Sequence, residues 1–500
     1  MTWVVAALGS AMGWEPIAVH GEVTVHHDVV GGLSTYWVEG GNAFRAVLAF
    51  RVGMADETLS TRGICHLVEH LAIEPQQRLY TWNGWCAIDT TGFWAEGDRD
   101  EVLDYLSGVA RLLHPLPRDR MVAERQVLAT EGSQRGGSIV TTLLSCRWGA
   151  RTYGAASYDE FGLFRLSEDE TQAWADRYFV AENAVLFMTG EPPEGFSLEL
   201  PRGERNSLPA AEPVSGLQLP TGISVGQGGV GVGMEVDRSP GTGLALALLS
   251  SAATARLRHE LGVTYHVGSD YQLAGPDRAH LTIAADCLDT NAAQVADTLL
   301  AVIDKLASSG PEEAELELER ERFWRAIKAP ADALNWFAMG DLAGISRERL
   351  LEQVTSTNQV GGEDVAAVVK GAAERMIMIV PSHISLSSRF RPFPHFSERA
   401  VTGRRLRVKG MAGWLSARRA GVILGEEGLT AIYGDEQFAT IEWSDCEVVL
   451  HWSNGSVVVI GRDGDRVPVL VDKFGRNGAQ AALDELKRHV RADRFVLMPD

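Results

Sequence analysis

Cationic side chains are in short supply: 46 Lys and Arg stand against 66 Asp and Glu in 500 residues, a formal net charge of -20. Such a surface repels phosphates, which argues against a nucleic-acid partner and is compatible with basic peptides. Cysteine is scarce as well. The five present, Cys65, Cys86, Cys146, Cys287 and Cys446, are scattered, odd in number and without CxxC spacing. That pattern excludes a disulfide framework and predicts reduced thiols in a cytoplasmic protein. Long hydrophobic runs are missing, so no membrane span is expected. The apolar stretch from Trp3 to Gly9 has no basic residue before it and makes a poor signal peptide.

The chain is too long for one hydrophobic core to organise, so two or more domains are expected, with the apolar and charged content of a soluble globular protein. One stretch stands out chemically, Gly63-Ile-Cys-His66-Leu-Val-Glu69-His70. On a helix, residues four apart lie on one face, so His66 and His70 stack there with Glu69 beside them. Two imidazoles so placed are half of a metal site. A catalytic zinc takes three protein ligands plus water, with a carboxylate to accept the water's proton, and Glu69 is in position for that. His-x-x-Glu-His is the inverted form of the commoner zinc-peptidase motif. Cys65 points elsewhere on the helix and receives no role. A β-branched, apolar run from Ala46 to Gly53 reads as a strand, and a polar loop from Asp56 to Arg62 follows before the helix.

The run from Ala46 through His70 resembles the pitrilysin and insulinase family of zinc metallopeptidases, which includes the mitochondrial processing peptidases. The resemblance implies that His66 and His70 bind one zinc ion per chain, that Glu69 is the general base, and that a distant Glu preceded by another seven residues earlier completes the site. Glu124-Arg-Gln-Val-Leu-Ala-Thr-Glu131 matches that pair. Seven residues are almost two helical turns, so both carboxylates share nearly one face and spacing alone does not choose between them. The resemblance selects Glu131 as the ligand and Glu124 as its supporting catalytic carboxylate. Glu74, four residues after His70, is a rival ligand, but it lies about 12 Å up the helix axis from His66.

After this helix, Trp82 to Ala95 reads as a strand and Arg99 to Leu113 as an amphipathic helix. In the family the matching strand offers an edge on which substrate pairs, with an Asn-Ala pair near its start. Here that pair reads Cys86-Ala87, which makes Ala87 a substrate-binding position and removes an amide expected near the scissile bond. The interval from His70 to Glu131 is also shorter than usual in the family. Ser167 and Glu170 form a capping box, Tyr178 to Gly190 ends in a buried strand, and residues 202–222 read as a linker.

A second module repeats the element order without a metal motif: strand-like residues 223–236, a helix over 243–261, strands over 265–273 and 280–287, and a helix over 291–308. The acidic run after Pro311 reads as a solvated helix face. Leu257-Arg258-His-Glu-Leu-Gly262-Val-Thr-Tyr265 resembles the family stretch whose Arg and Tyr touch substrate, so Arg258 and Tyr265 are substrate-binding candidates. Residues 386–411, rich in Pro and Arg, read as a basic linker. A succession of short strands follows, and a helix from Gly478 to Arg491 is expected to close the chain.

The fold class expected is therefore α+β: two tandem homologous pitrilysin-like modules over 1–205 (catalytic) and 216–385 (substrate-binding), the linker, and a small β-rich, pleckstrin-homology-like domain over 412–500. The function implied is zinc-dependent endopeptidase action on peptides, as a homodimer or with a related subunit. The alternative is a catalytically silent relative acting as a scaffold or binding protein.

Overall fold

The computed structural model describes residues 17–19, 23–40, 43–74, 81–134, 137–225, 229–408, 420–433 and 437–499. The stretch Trp3 to Gly9 lies outside them.

Strands β1 (Ile17–Val19), β2 (Val23–Val30), β3 (Leu33–Val38), β4 (Phe44–Phe50), β5 (Thr81–Cys86), β6 (Thr91–Gly97) and β7 (Ala184–Met188) form one sheet in the order β1-β2-β3-β7-β4-β6-β5. The central strands β4 and β7 are apolar on both faces because both are covered. On one face, α1 (Ile64–Ala72) and α2 (Arg99–Leu113) bury Leu67, Leu71, Leu106 and Val109 against Leu48, Phe50 and Phe93. The expected single strand over Trp82 to Ala95 is a hairpin instead. The chain turns at Ala87–Thr90, where the Ala87 N–H donates to Thr90 O at 2.7 Å, and β5 returns antiparallel to β6. β5 is thereby left as an edge strand of this sheet among the described residues.

The second sheet, in the order β10-β11-β9-β12-β8-β13, repeats the plan. It contains β8 (Thr221–Val225), β9 (Val230–Asp237), β10 (Val267–Leu273), β11 (Arg278–Ala285), β12 (Met376–Pro381) and β13 (Arg391–Pro392). What reads as one strand over 223–236 is two, β8 and β9, which both border β12 rather than each other. Helices α6 (Pro240–Thr254), α7 (Ala292–Ser309) and α11 (Gly362–Glu374) cover one face. The helix expected to run to Leu261 loosens after Thr254 into a π-helical turn, Ala255–Glu260.

The two halves exchange helices. The helix α4 (Ile139–Trp148), from the first half, places Ile139 and Leu143 on Ile223, Ile377 and Ile379 of the second sheet. In return α9 (Pro330–Leu342), from the second half, sets Leu334 and Phe337 on Val25, Val47 and Val185 of the first. Each sheet has one face that its own half leaves apolar, and the other half's helix buries it, so neither half closes its core alone. Between these lies α8 (Glu313–Ile327), whose first-turn Glu313 and Glu315 are exposed as the acidic run predicts, while Leu316 is buried.

The third part is built from two four-stranded sheets, β14-β15-β16-β17 and β20-β19-β18-β21, packed with the helix α12 (Val471–His489). Two expectations are corrected there. The stretch 386–411 is not wholly a linker: β14 (Gly403–Arg407) pairs with β15 (Gly421–Gly425), burying Leu406 while Arg404, Arg405 and Arg407 face solvent. The helix does not close the chain either, because β21 (Phe495–Leu497) follows it and joins β18 (Cys446–His451) in parallel. Of the remaining strands, β16 (Gly428–Tyr433) pairs with β17 (Gln437–Glu442), and β19 (Val457–Gly461) with β20 (Arg466–Val469). All five cysteines are unpaired, and no helix among the described residues is long and apolar enough to cross a membrane.

Candidate metal centre

Helix α1 carries the motif, and charged groups hold it at both ends. Gly63 precedes it in the left-handed region at φ 99°, where a side chain would also meet the Glu160 Cβ at 2.8 Å. The fully buried Glu57 carboxylate then accepts from the Gly63 N–H at 3.0 Å and the Cys65 N–H at 2.9 Å. Arg62 donates to the same carboxylate at 2.6 Å. A negative group on unpaired amides at a helix start is favourable both as a cap and against the helix dipole. Burial acts to lower the Arg62 pKa, but the Glu57 and Glu160 carboxylates outweigh it and the net shift is upward, so the guanidinium stays charged. At the other end Arg120 donates to the carbonyls of His70, Leu71 and Ile73 at 3.1, 3.2 and 2.8 Å, the cationic counterpart that a helix C-terminus favours. Burial pushes the Cys65 thiol well up, and it packs in the core.

His66 and His70 stand with ring centroids 4.9 Å apart and planes at 90°. Each ring is oriented by a carboxylate on its Nδ1. For His66 this is Glu160, at 3.0 Å, and for His70 it is Glu124, at 3.1 Å. Glu124 is itself held by Arg120 at 2.7 Å. With Nδ1 engaged, each imidazole turns Nε2 toward the cleft, the arrangement that fixes the tautomer of a metal-ligating histidine. The helix α3 (Met121–Gln134) delivers the third donor. Glu131 Oε2 lies 3.9 Å from His66 Nε2 and 4.0 Å from His70 Nε2. A tetrahedral zinc with bonds of about 2.1 Å separates its ligand atoms by about 3.4 Å. The two carboxylate-to-imidazole separations are thus about half an ångström longer than a zinc-binding spacing, and the donor set of two imidazoles and a carboxylate fits zinc. Glu69 Oε2 lies 3.7 Å from His66 Nε2, and His66, Glu69 and His70 form a compact group of metal-binding donor atoms within 4.8 Å of one another.

These residues open into a cleft of about 1140 Å³. Edge strand β5 borders it, with Asn83, Gly84 and Trp85 in its lining. Gly84 comes so close to the motif that a Cβ there would lie 2.2 Å from Glu69 Oε1. Ala87 also lines the cleft, but it sits in the turn beyond β5. Its N–H is used by Thr90 O and its carbonyl accepts from Met54 N at 3.0 Å. Its backbone is therefore not free to pair with a substrate strand, and the strand residue against Glu69 is Gly84. Glu74 falls after the end of α1 and outside the cleft lining, since the helix stops before it.

Arg258 and Tyr265 do not line this cleft. The guanidinium carbon of Arg258 stands 5.5 Å over the Tyr265 ring, and Tyr265 is 80% exposed. Glu160 and Arg120 escaped the sequence reading. Glu160 lies 94 residues from His66 in a loop with no periodic pattern. Arg120 did carry a signal, four residues before Glu124, the spacing of a helical ion pair.

Residues 227–323 match the family model described as the Peptidase M16 inactive domain, a stretch within the second half. No curated protein matches the chain in sequence. Among solved structures, a protease from Helicobacter pylori superposes with a TM-score of 0.60 at 16% identity, over 71% of this chain and 99% of that one. A chain of Complex III2 from Candida albicans gives 0.58 at 12%, over 72% and 97%. Pitrilysin gives 0.54 at 14%, over 74% of this chain and 46% of its own. At these identities the likeness is one of fold.

Proposed function

We propose, for a chain with the pitrilysin-like fold, that it is a zinc-dependent endopeptidase acting on extended peptides. The observation that carries this reading is the convergence of His66 Nε2, His70 Nε2 and Glu131 Oε2 beside the Glu69 carboxylate. When bound, zinc supplies the Lewis acid that polarises the scissile carbonyl and makes water acidic enough to ionise near neutral pH. The protein's own residues do the rest. Edge strand β5 pairs with the extended backbone of the substrate and aligns it past α1. Glu69 takes the proton of the attacking water and returns it to the leaving amine. Glu160 and Glu124 keep both imidazoles in one tautomer and one orientation; Glu124 touches His70 and not the reacting atoms, so its role is positioning.

Division into a catalytic module over 1–205 and a supporting one over 216–385 is part of this reading, as is a pleckstrin-homology-like fold for the carboxy-terminal domain. Arg258 and Tyr265 lie outside the lining of their own chain's cleft, and their service at a partner's cleft, in a homodimer or a pair with a related subunit, is part of this reading. Free thiols support a cytoplasmic setting.

Metal analysis after dialysis, together with cleavage of an unstructured peptide library, tests the proposal. The wild type holds one zinc per chain and cleaves. Glu69→Gln keeps the zinc and loses turnover by at least about 10²-fold, whereas His66→Ala and His70→Ala lose the metal. A chain that binds no zinc, or a Glu69→Gln variant with full activity, refutes it.

A further inference from the structure

The carboxy-terminal domain is docked on the rim of the cleft. Val448 and Leu450 of β18, Ile460 of β19 and Val496 of β21 share one apolar core with Leu59, Ala150, Ala155 and Phe161 of the first half. Polar contacts fix the register of the two surfaces. Glu447, buried at its side chain, accepts from Arg494 at 2.6 Å within its own domain and from Arg151 across the junction. The Ala150 N–H donates to Arg462 O at 2.8 Å. At Gly149, φ is 66° and a Cβ would lie 2.2 Å from that same Arg462 oxygen, so only glycine allows so close an approach. A buried carboxylate shared by cations of both parts, set in a common apolar core, holds the domain in one orientation.

This docking brings one residue into the cleft. Past β21, the Met498 N–H donates to His451 O at 2.8 Å, which holds the chain in line with β18 and directs Met498 into the cleft lining. There it joins Phe161, Leu163 and Phe164. Phe161 and Leu163 are buried and back the wall of the cleft, so the open apolar surface is that of Phe164, 42% exposed, and of half-buried Met498. Apolar surface left open in a concave site beside polar catalytic groups is what an apolar ligand group fills.

We propose that the carboxy-terminal domain is a wall of the cleft, and that Met498 with Phe161, Leu163 and Phe164 forms a subsite for an apolar side chain of the bound peptide. The inference rests on the cleft being a peptide site, as proposed above, and gives this domain a part in selecting substrate.

The test is peptide binding by Glu69→Gln protein, full length and zinc-loaded, so that nothing is cleaved. The probes are fluorescent dodecapeptides of one sequence in which a single position is varied in turn among Phe, Leu, Ala, Asp and Lys, read by anisotropy. At one position Phe and Leu bind at least tenfold more tightly than Ala. Met498→Glu abolishes that preference and raises binding of Lys at the same position, Met498→Leu keeps it, and zinc content is the same in all. Phe164→Glu, made at an exposed site where folding is not at stake, abolishes it too. An unchanged preference in Met498→Glu and Phe164→Glu overturns the proposal, and so does a peptide set with no apolar preference at any position or no binding at all. Wild-type protein that binds the preferred peptides and leaves them intact would refute the peptidase and leave the subsite standing.

Discussion

Glu57→Ala should be among the most damaging single changes in the first half, although Glu57 touches neither the imidazoles nor the cleft. Its carboxylate is fully buried and serves the Gly63 N–H, the Cys65 N–H and the Arg62 guanidinium. Truncation leaves Arg62 buried with its Nε bond to Ala155 O at 3.2 Å and the charge of Glu160 nearby, and leaves two amides at the start of α1 without a partner. Breaking a buried pair on one side costs about 3–5 kcal/mol, and each orphaned amide adds about 1–3 kcal/mol when counted alone. Neighbouring losses overlap rather than add, so about 4 kcal/mol is expected. The two halves close each other's cores and melt together, so for a unit of about 370 residues at about 2.1 cal/mol/K each this lowers the melting temperature by about 5 °C. Urea melts followed by tryptophan fluorescence read the free energy, and chelator competition reads zinc affinity, which falls as α1 loses its anchor. Replacing both partners by apolar residues, Glu57→Leu with Arg62→Met, should recover most of the loss because no charge is then stranded. A loss below about 1 kcal/mol in Glu57→Ala, or a double variant no better than the single, would refute this account of how the metal helix is held.

Glu124→Ala and Glu160→Ala should each weaken zinc binding about 10–100-fold by freeing one imidazole, measured by competition with a chelator; unchanged affinity would mean that the carboxylates do not orient the rings. Gly84→Val should push the Glu69 carboxylate aside by about 1 Å and slow turnover about 10²-fold while zinc content holds, so a variant at full speed would show that the base tolerates the shift. His280 is buried, and burial first, then Arg147, depresses its pKa well below the usual histidine range. It is neutral when folded and protonates on unfolding. Its contribution is therefore complete above the unfolded pKa of about 6.5 and is lost as pH falls below it, by about 1.4 kcal/mol per unit. Melts between pH 7 and 5 should fall more steeply in the wild type than in His280→Leu, and parallel curves would exclude His280 as the group responsible.

Much of the first half can be read locally. The ladder of Val102, Leu106 and Val109 gives α2 its bounds, and Ser167 with Glu170 marks the start of α5 (Glu168–Tyr178), because amphipathic period and capping chemistry are properties of neighbouring residues. The hairpin over 81–97 is less legible. Trp82 to Ala95 is apolar enough to read as one strand, and the turn at Ala87–Thr90 lacks the Asn-Gly or Asp-Gly pair that would mark it. That reading put Ala87 at the motif, where the structure puts Gly84.

Sequence alone determined the pair His66 and His70, with Glu69 beside them, since three and four residues along a helix are a fixed distance apart. Glu131 as the third donor, with Glu124 behind it, came from the family resemblance and not from spacing, which left Glu74 as a rival. That Glu131 faces the two Nε2 atoms while Glu124 takes the Nδ1 of His70 was decided by tertiary structure, because it depends on how α3 lies across α1, and Arg120 and Glu124 fix that contact through His70. The same is true of Glu160, of Met498 at the cleft wall, and of the helices exchanged between the halves. Each joins segments far apart in the chain, and no local pattern encodes a meeting that only burial of a shared apolar face enforces.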